Sequence, residues 1–347
     1  MLWNGDFGTL TDCAFINNTA TGFGGGLYLN GSNNILNNSS FINNSAHSGG
    51  GVLYFGFSNS LNNSYFMGNF AKSDGGGILC EVNSGTLSNS IFINNHANGN
   101  GGGVYFSTPA INYTLNNSLF INNSADGGYG GGVFWNANSG TLSNSHFTGN
   151  NATSSGGGVF WNKPDGSIIN SIFIGNYAND GGAICWSGAN GTLNGCTFKS
   201  NTASGITAGI RWDGEKGTLS NSTFINNHGA IYGAVFWMGK NGKLFICNFT
   251  GNVAKNDGAG IVWGGANGSL TNSIFTNNVA NNRGGGVYWS GANGKLSRTI
   301  FINNTATNMV VAFIGIVEMV LLLILIQQAI MQSKETMFFG GGLLRSF

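Results

Sequence analysis

Residues 268–293 read GSLTNSIFTNNVANNRGGGVYWSGAN, and this order of residue types returns about every 26 residues along most of the chain. Phe275 is followed three residues later by Asn278. The same F-x-x-N step recurs twelve times, from Phe15/Asn18 through Phe147/Asn150 to Phe301/Asn304. Other slots keep the same phase. A Leu or Ile stands five residues before each Phe, as at Leu10, Ile168 and Leu270. A small residue stands two before it, as at Ser171, Cys196 and Thr299. Ala stands five after it in eleven of the twelve units, the exception being Gly229. A fixed period of this length is the signature of a one-dimensional stack of like units.

The small slot and Phe lie two apart, so they share one face of a short strand. After a Gly-rich bend comes an aliphatic slot (Leu27, Val104, Ile184, Val287), mostly β-branched as strands prefer. Each unit therefore reads as about three short strands joined by turns of Gly, Asn, Ser and Asp. No segment has a 3.6-residue apolar period, which argues against helical repeats. A propeller blade needs more residues than this unit supplies. The expected fold is all-β: a right-handed, single-stranded parallel β-helix of about 12 coils. Coils spaced ~4.8 Å apart would make a rod of roughly 55–60 Å. Phe would stack on Phe, and the Asn side chains would form a ladder, each donating to one neighbour and accepting from the other.

Two residues beyond the aliphatic slot the sequence changes along the chain. It reads Leu29, Tyr54, Cys80 and Phe106, then Trp at 135, 161, 186, 212, 237, 263 and 289. Equal parity with the aliphatic slot predicts an inward or corner-packed stack. The competing reading is an exposed Trp ladder that serves sugar rings as a platform. The slot between, which holds Tyr28, Arg211 and Tyr288, is expected to face solvent.

Composition narrows the functional classes. Of 347 residues 60 are Gly and only 2 Pro, which is neither collagen nor a disordered linker. Charged residues are 7% and the net charge is +1, so no basic face for nucleic acid is expected. The five cysteines (Cys13, Cys80, Cys185, Cys196, Cys247) are odd in number and form no C-x-x-C, and three of them sit in the small slot. They read as small buried residues.

Little in the sequence reads as chemistry, and no catalytic, cofactor-binding or metal-ligating residues are assigned. Asp74, Asp126, Asp180 and Asp257 fall at the Gly-rich bend, where turn chemistry accounts for them. His96 and His228 share a slot five coils apart, roughly 24 Å, too far for one metal or triad. The densest polar group is Arg211, Asp213, Glu215 and Lys216, with Lys163 and Asp165 two coils below. Paired carboxylates are what glycoside hydrolysis needs, so this is the site of the enzyme alternative, a polysaccharide lyase or glycoside hydrolase. Its competitor is a solvated turn with weak ion pairs. Sequons such as those at Asn17, Asn43 and Asn62 arise from the repeat itself.

The first residues, Met1 to Leu10, enter the unit at its Trp slot with Trp3, and they carry no signal-peptide pattern. The chain is expected to begin in mid-coil as a fragment, with the repeat domain spanning 1–308. The tail, 309–347, is expected to be either repeat read out of frame or a transmembrane anchor. Met309–Val310 and Met319–Val320 each read Gly in the shifted frame, ten residues apart like Gly284 and Gly294. An anchor is the reading of the apolar run 309–326, which Glu318 interrupts.

F-x-x-N paired with G-G-[GA]-[ILV], as in Phe173-Ile174-Gly175-Asn176 followed by Gly181-Gly182-Ala183-Ile184, resembles the repeats of chlamydial polymorphic outer-membrane proteins. The Asn-rich units also resemble adhesin-like β-helix proteins of gut methanogens. The resemblance covers roughly residues 1–308. It implies an exported, extracellular or cell-surface adhesin-like protein: a non-catalytic stalk or passenger whose turns contact glycans or proteins of a host or neighbouring cell. The alternative function is a carbohydrate-active β-helix enzyme or a glycan-binding module.

Overall fold

The computed structural model describes residues 1–81, 84–108 and 111–308, together with the backbone of 313–314 and 317–321. The rest of the tail lies outside the described residues. Every strand pairing is parallel, and each strand pairs with the equivalent strand one unit on. The chain is a parallel β-helix.

Each coil contributes four strands rather than three. They build sheets named here by the residue pointing inward: a Leu sheet (Thr9–Thr11, Ile35–Asn37 and onward), a Phe sheet (Ala14–Ile16, Ser40–Ile42), an Ala sheet (Ser45–Ala46, Phe70–Ala71) and a Trp sheet (Leu27–Leu29, Val52–Tyr54). The Ala strand escapes sequence reading because it is mostly two residues long, too short to show alternation. Register holds like upon like: Phe147 pairs with Phe173, Leu219 with Leu244, Ala152 with Ala178 and Trp186 with Trp212.

The corners explain the Asn and Gly content. A strand of three residues can turn only if the next residue leaves β geometry. The residue three before Phe and the residue two after it both adopt left-handed backbone, as at Asn38 (φ 49°) and Asn43 (φ 53°). A third such corner precedes Leu, as at Asn33 (φ 58°), and the first Gly of most bends makes a fourth, as at Gly49 (φ 62°). Asn tolerates this region better than other side-chain-bearing residues, and Gly has no Cβ to clash. The second bend Gly meets a different constraint, since a Cβ on Gly50 would lie 2.4 Å from the Gly76 carbonyl oxygen of the next coil.

One such corner holds a β-branched residue. Ile246 has φ 56° where most coils place Asn, and it is exposed. A β-branched residue in this region costs roughly 1–2 kcal/mol. Asn221, at the same corner one coil earlier, donates its amide to Asn194 Oδ1 at 2.7 Å. Ile246→Asn is therefore expected to stabilise the protein by about 1 kcal/mol. A denaturation midpoint equal to or below wild type would refute the strain.

Inside the rod the side chains form continuous columns. Twelve Phe rings run from Phe15 to Phe301. Phe224 and Phe249, for example, have centroids 4.6 Å apart and planes 3° from parallel. The seven Trp rings stack at centroid spacings between 4.3 Å for Trp135–Trp161 and 4.9 Å for Trp237–Trp263. Each fully buried ring contributes on the order of 1.5–3 kcal/mol by leaving water. The Trp column is inward, so it offers no sugar platform.

Beside the Phe column runs the amide ladder. Asn176 Nδ2 donates to Asn201 Oδ1 at 3.0 Å and to the Phe147 carbonyl at 2.9 Å. Its Oδ1 accepts the backbone N–H and the side-chain amide of Asn150, both at 3.0 Å. Every polar hydrogen and lone pair of this buried amide thus has a partner, the condition for a polar group to be stable in the interior. Ser in the small slot plays a lesser version: Ser171 Oγ donates to Ile169 O at 2.9 Å and accepts the Ser145 N–H at 3.2 Å.

Candidate functional site

With Leu, Phe, Asn, Ala and Trp all turned inward, what the protein presents is its outward columns and its corners. Arg211 stands on the outward side of the Trp sheet, between Cys185 and Phe236 in register. Its Nε lies 2.7 Å from Asp213 Oδ2, and its Nη1 binds Asp180 Oδ2. Asp180 is buried, and its other oxygen accepts the N–H of Gly181 at 2.8 Å and of Thr207 at 3.2 Å. Burial pushes the Asp180 carboxyl above the usual range, and Arg211 with the two amides opposes that rise. The sequence grouped Arg211 with Asp213 and left Asp180 to turn chemistry. The fold joins all three, because the bend of one coil lies beside the strand of the next.

Glu215 and Lys216 are exposed and take no part in an ion pair seen among the described residues. Asp165 is exposed and accepts the Asn190 amide at 2.9 Å. Lys163 is half-buried. The cluster expected from sequence is therefore dispersed. Its core is an arginine clamped by two carboxylates, and the buried one already has both oxygens engaged.

A second clamp lies three coils on. Asp257 Oδ2 accepts Arg283 Nη2 at 2.7 Å, and Asp257 Oδ1 accepts Arg283 Nε at 3.0 Å. The guanidinium stands 4.4 Å over the Tyr288 ring. Asp74 accepts the N–H and side-chain amide of Asn100 at 2.7 and 3.0 Å. His96 stacks on Phe70 and pairs with Asp126 at 3.3 Å, while His228 lies five register steps away in the same sheet. Among the described residues no three His, Cys, Asp or Glu side chains gather as a metal site.

The five thiols are free, and all but Cys13 are buried. Burial pushes Cys196 and Cys247 up to about 12, and raises Cys80 and Cys185 as well. A raised folded-state value means the folded thiol keeps its proton where the unfolded one has lost it. That contribution to stability is complete below about pH 8.5 and is lost as pH climbs toward 12. Stability is expected to fall by more than about 1 kcal/mol per thiol per pH unit across that window. Iodoacetamide at pH 8 should label Cys13 alone in native protein. Prompt native labelling of Cys196 or Cys247, read by mass spectrometry, would contradict this burial.

The outward columns differ in kind. On the Trp sheet the outward residues are largely aromatic or aliphatic. Tyr105 and Phe134 stack at 4.7 Å, and Tyr129 reaches over Phe160 at 4.6 Å. The glycine bend folds back over this column, so that Leu53 and Leu79 are buried although they point outward. On the Phe sheet two columns flank the inward Phe. Ile16, Ile42, Met67, Ile93 and Ile121 align in one; Ala14, Ser40, Tyr65, Ile91 and Leu119 align in the other. No bend covers them. The left-handed Asn corners, among them the exposed sequon residues Asn17 and Asn43, border this face.

The model of the Chlamydia polymorphic membrane protein (Chlamydia_PMP) repeat matches residues 12–30, 38–56, 63–81 and 89–107. No curated protein sequence matches the chain. Among solved structures, the catalytic unit of the thermostable GH87 alpha-1,3-glucanase from Streptomyces thermodiastaticus strain HF3-3 is similar at 13% identity and a TM-score of 0.48. That likeness covers 86% of this chain and 62% of the glucanase. A mannuronic acid specific polysaccharide family 6 lyase from human gut microbiota is similar at 10% identity and a TM-score of 0.38, covering 92% of this chain and 86% of the lyase. The chain thus spans less than two thirds of the glucanase, and neither likeness carries an argument about activity. Each matched segment runs from the corner before Phe, through F-x-x-N and the glycine bend, to one or two residues past the Trp slot. Four segments of the chain are thus similar to the Chlamydia polymorphic membrane protein repeat, and they lie in successive coils of the parallel β-helix.

Proposed function

We propose that the protein is a non-catalytic, adhesin-like β-helical stalk displayed at a cell surface, which attaches through repeated contacts along its outward columns and corners. The observation that carries this reading is where the reactive groups go. Asp180 and Asp257 are buried and held by arginines and amides of neighbouring coils, so they act as staples between coils. Four of the five thiols, all but Cys13, are buried with raised pKa values, which keeps them unreactive. What faces outward is instead a set of similar surfaces repeated every coil. Weak contacts repeated along such a face gain avidity without a single strong site. The match to repeats of a membrane-protein family supports a surface location. The partners would be glycans or proteins of a host or neighbouring cell.

The test coats beads with the purified chain and measures their retention on cell layers and glycan surfaces under flow, alongside assays for polysaccharide cleavage. Retention without turnover is the expected result. Release of unsaturated or reducing sugar ends, abolished by Asp180→Asn or Asp213→Asn, would replace this proposal with an enzyme.

A further inference from the structure

The outward face of the Phe sheet is mostly apolar and has no covering bend, its polar residues (His146, Thr197, Lys199 and Asn248 among them) gathering in the later coils. In its first five coils nine of the ten outward positions are apolar, Ser40 being the exception. Ile16 is 51% exposed and Ile91 37%. Over all twelve coils the two columns carry one formal charge, Lys199. The Trp sheet shows that this repeat can cover an apolar outward column, since Leu53 there is only 1% exposed under its bend. The Phe face receives no such cover. A contiguous bare patch with a polar rim marks an interaction surface.

We propose that this face pairs two copies of the chain side by side, the aliphatic columns of one rod seating between those of the other. Three observations favour a second copy. The face has almost no charge, so it offers nothing to complement a charged partner, and a net charge of +1 sets little repulsion between copies. Its side chains repeat at the ~4.8 Å strand spacing, and a rod of the same repeat presents the same period, as interdigitating sheet faces require. Twelve strands at that spacing give a face about 53 Å long and ~10 Å wide, roughly 530 Å² per partner, so a pair buries about the 1,000 Å² total that a specific interface needs. A membrane-surface face would instead carry Lys and Arg along its rim, and here the rim is mostly Asn and Gly, with Arg298 its one cation. Two-fold symmetry makes such a contact isologous.

Sedimentation of the full chain tests the pairing. Wild type is expected to dimerise at micromolar concentration. Ile42→Lys with Ile93→Lys, two coils apart on the face, should weaken the dimer at least about 100-fold. Thr114→Lys with Thr141→Lys, on the outward side of the Leu sheet, should leave it intact. In the native fold Met67→Cys should cross-link between copies, whereas Thr250→Cys, far along the same face, serves to report how the two rods are aligned. A wild type monomeric at about 100 μM would overturn the proposal. So would a dimer indifferent to the lysines on the Phe face, which would place association at the rod ends. Binding of the monomeric chain to phosphatidylcholine vesicles, lost in the Ile42/Ile93 variant, would overturn it in favour of a lipid surface.

Discussion

Asn176→Ala is expected to lower the free energy of unfolding by about 4 kcal/mol or more. The substitution removes four hydrogen bonds at once. Asn150 loses the acceptor for both its backbone N–H and its side-chain amide; the Phe147 carbonyl and Asn201 Oδ1 each lose a donor. At roughly 1 kcal/mol net per bond the loss is ~4 kcal/mol, and orphaned buried groups raise it. Asn176→Asp separates geometry from hydrogen bonding. A carboxylate there still accepts from Asn150, but it faces the Phe147 carbonyl and the Asn201 oxygen with no proton to offer. Burial and these acceptors raise its pKa in the folded state. The variant should therefore approach wild type most closely below about pH 4 and fall away as pH rises through the raised value. Asn18, which donates to Asn44 with its backbone and side-chain N–H groups, serves as the control. Asn18→Ala removes only the side-chain bond and should cost about 1 kcal/mol. Equal losses at Asn18 and Asn176 would mean the ladder is not the source.

Trp212→Ala should cost about 3–5 kcal/mol, because it leaves a cavity between two rings that cannot close on each other. Trp186 and Trp237 stand 4.9 and 4.6 Å from it, each held by its own neighbour. The same column explains a glycine that turn chemistry leaves unexplained. A Cβ on Gly217 would lie 2.3 Å from Trp212 Nε1, and the stacked indole has nowhere to move. Gly217→Ala should cost about 1–3 kcal/mol by overpacking. The two effects are coupled. Where the Trp slot holds Leu29 or Tyr54, the glycine position holds Asn34 or Asn59. Gly217→Ala should cost little in a Trp212→Leu background, and a double-mutant cycle on thermal unfolding reads the difference. Additive losses would refute the indole-on-glycine contact.

The inner architecture was legible because burial imposes repetition. A coil must place the same kind of side chain above its neighbour's, so Phe, Asn, Ala and Leu repeat, and their phase gives the stack and the ladder directly. The inward Trp column followed from parity with the aliphatic slot. The fourth sheet did not show itself, since Ser45–Ala46 and its equivalents are too short to alternate. The Asp180–Arg211–Asp213 clamp was half visible. Asp213 lies two residues from Arg211, but Asp180 reaches it only because coil stacking brings residues about 31 apart together. The bare Phe face was hidden for another reason. Its isoleucines look like core residues in sequence, and only the closed interior behind Phe shows that they point away from it.

A coil-by-coil scan of attachment in the full chain tests most directly whether function is distributed along the outward surface. In each variant the outward residues of one coil are replaced by Ser, and retention on the target surface is measured with the fold checked by circular dichroism. Distributed weak contact predicts that each coil lowers retention a few-fold and that no coil dominates. Loss of about 100-fold or more from a single folded variant, with the other coils neutral, would contradict it and place function in one discrete site.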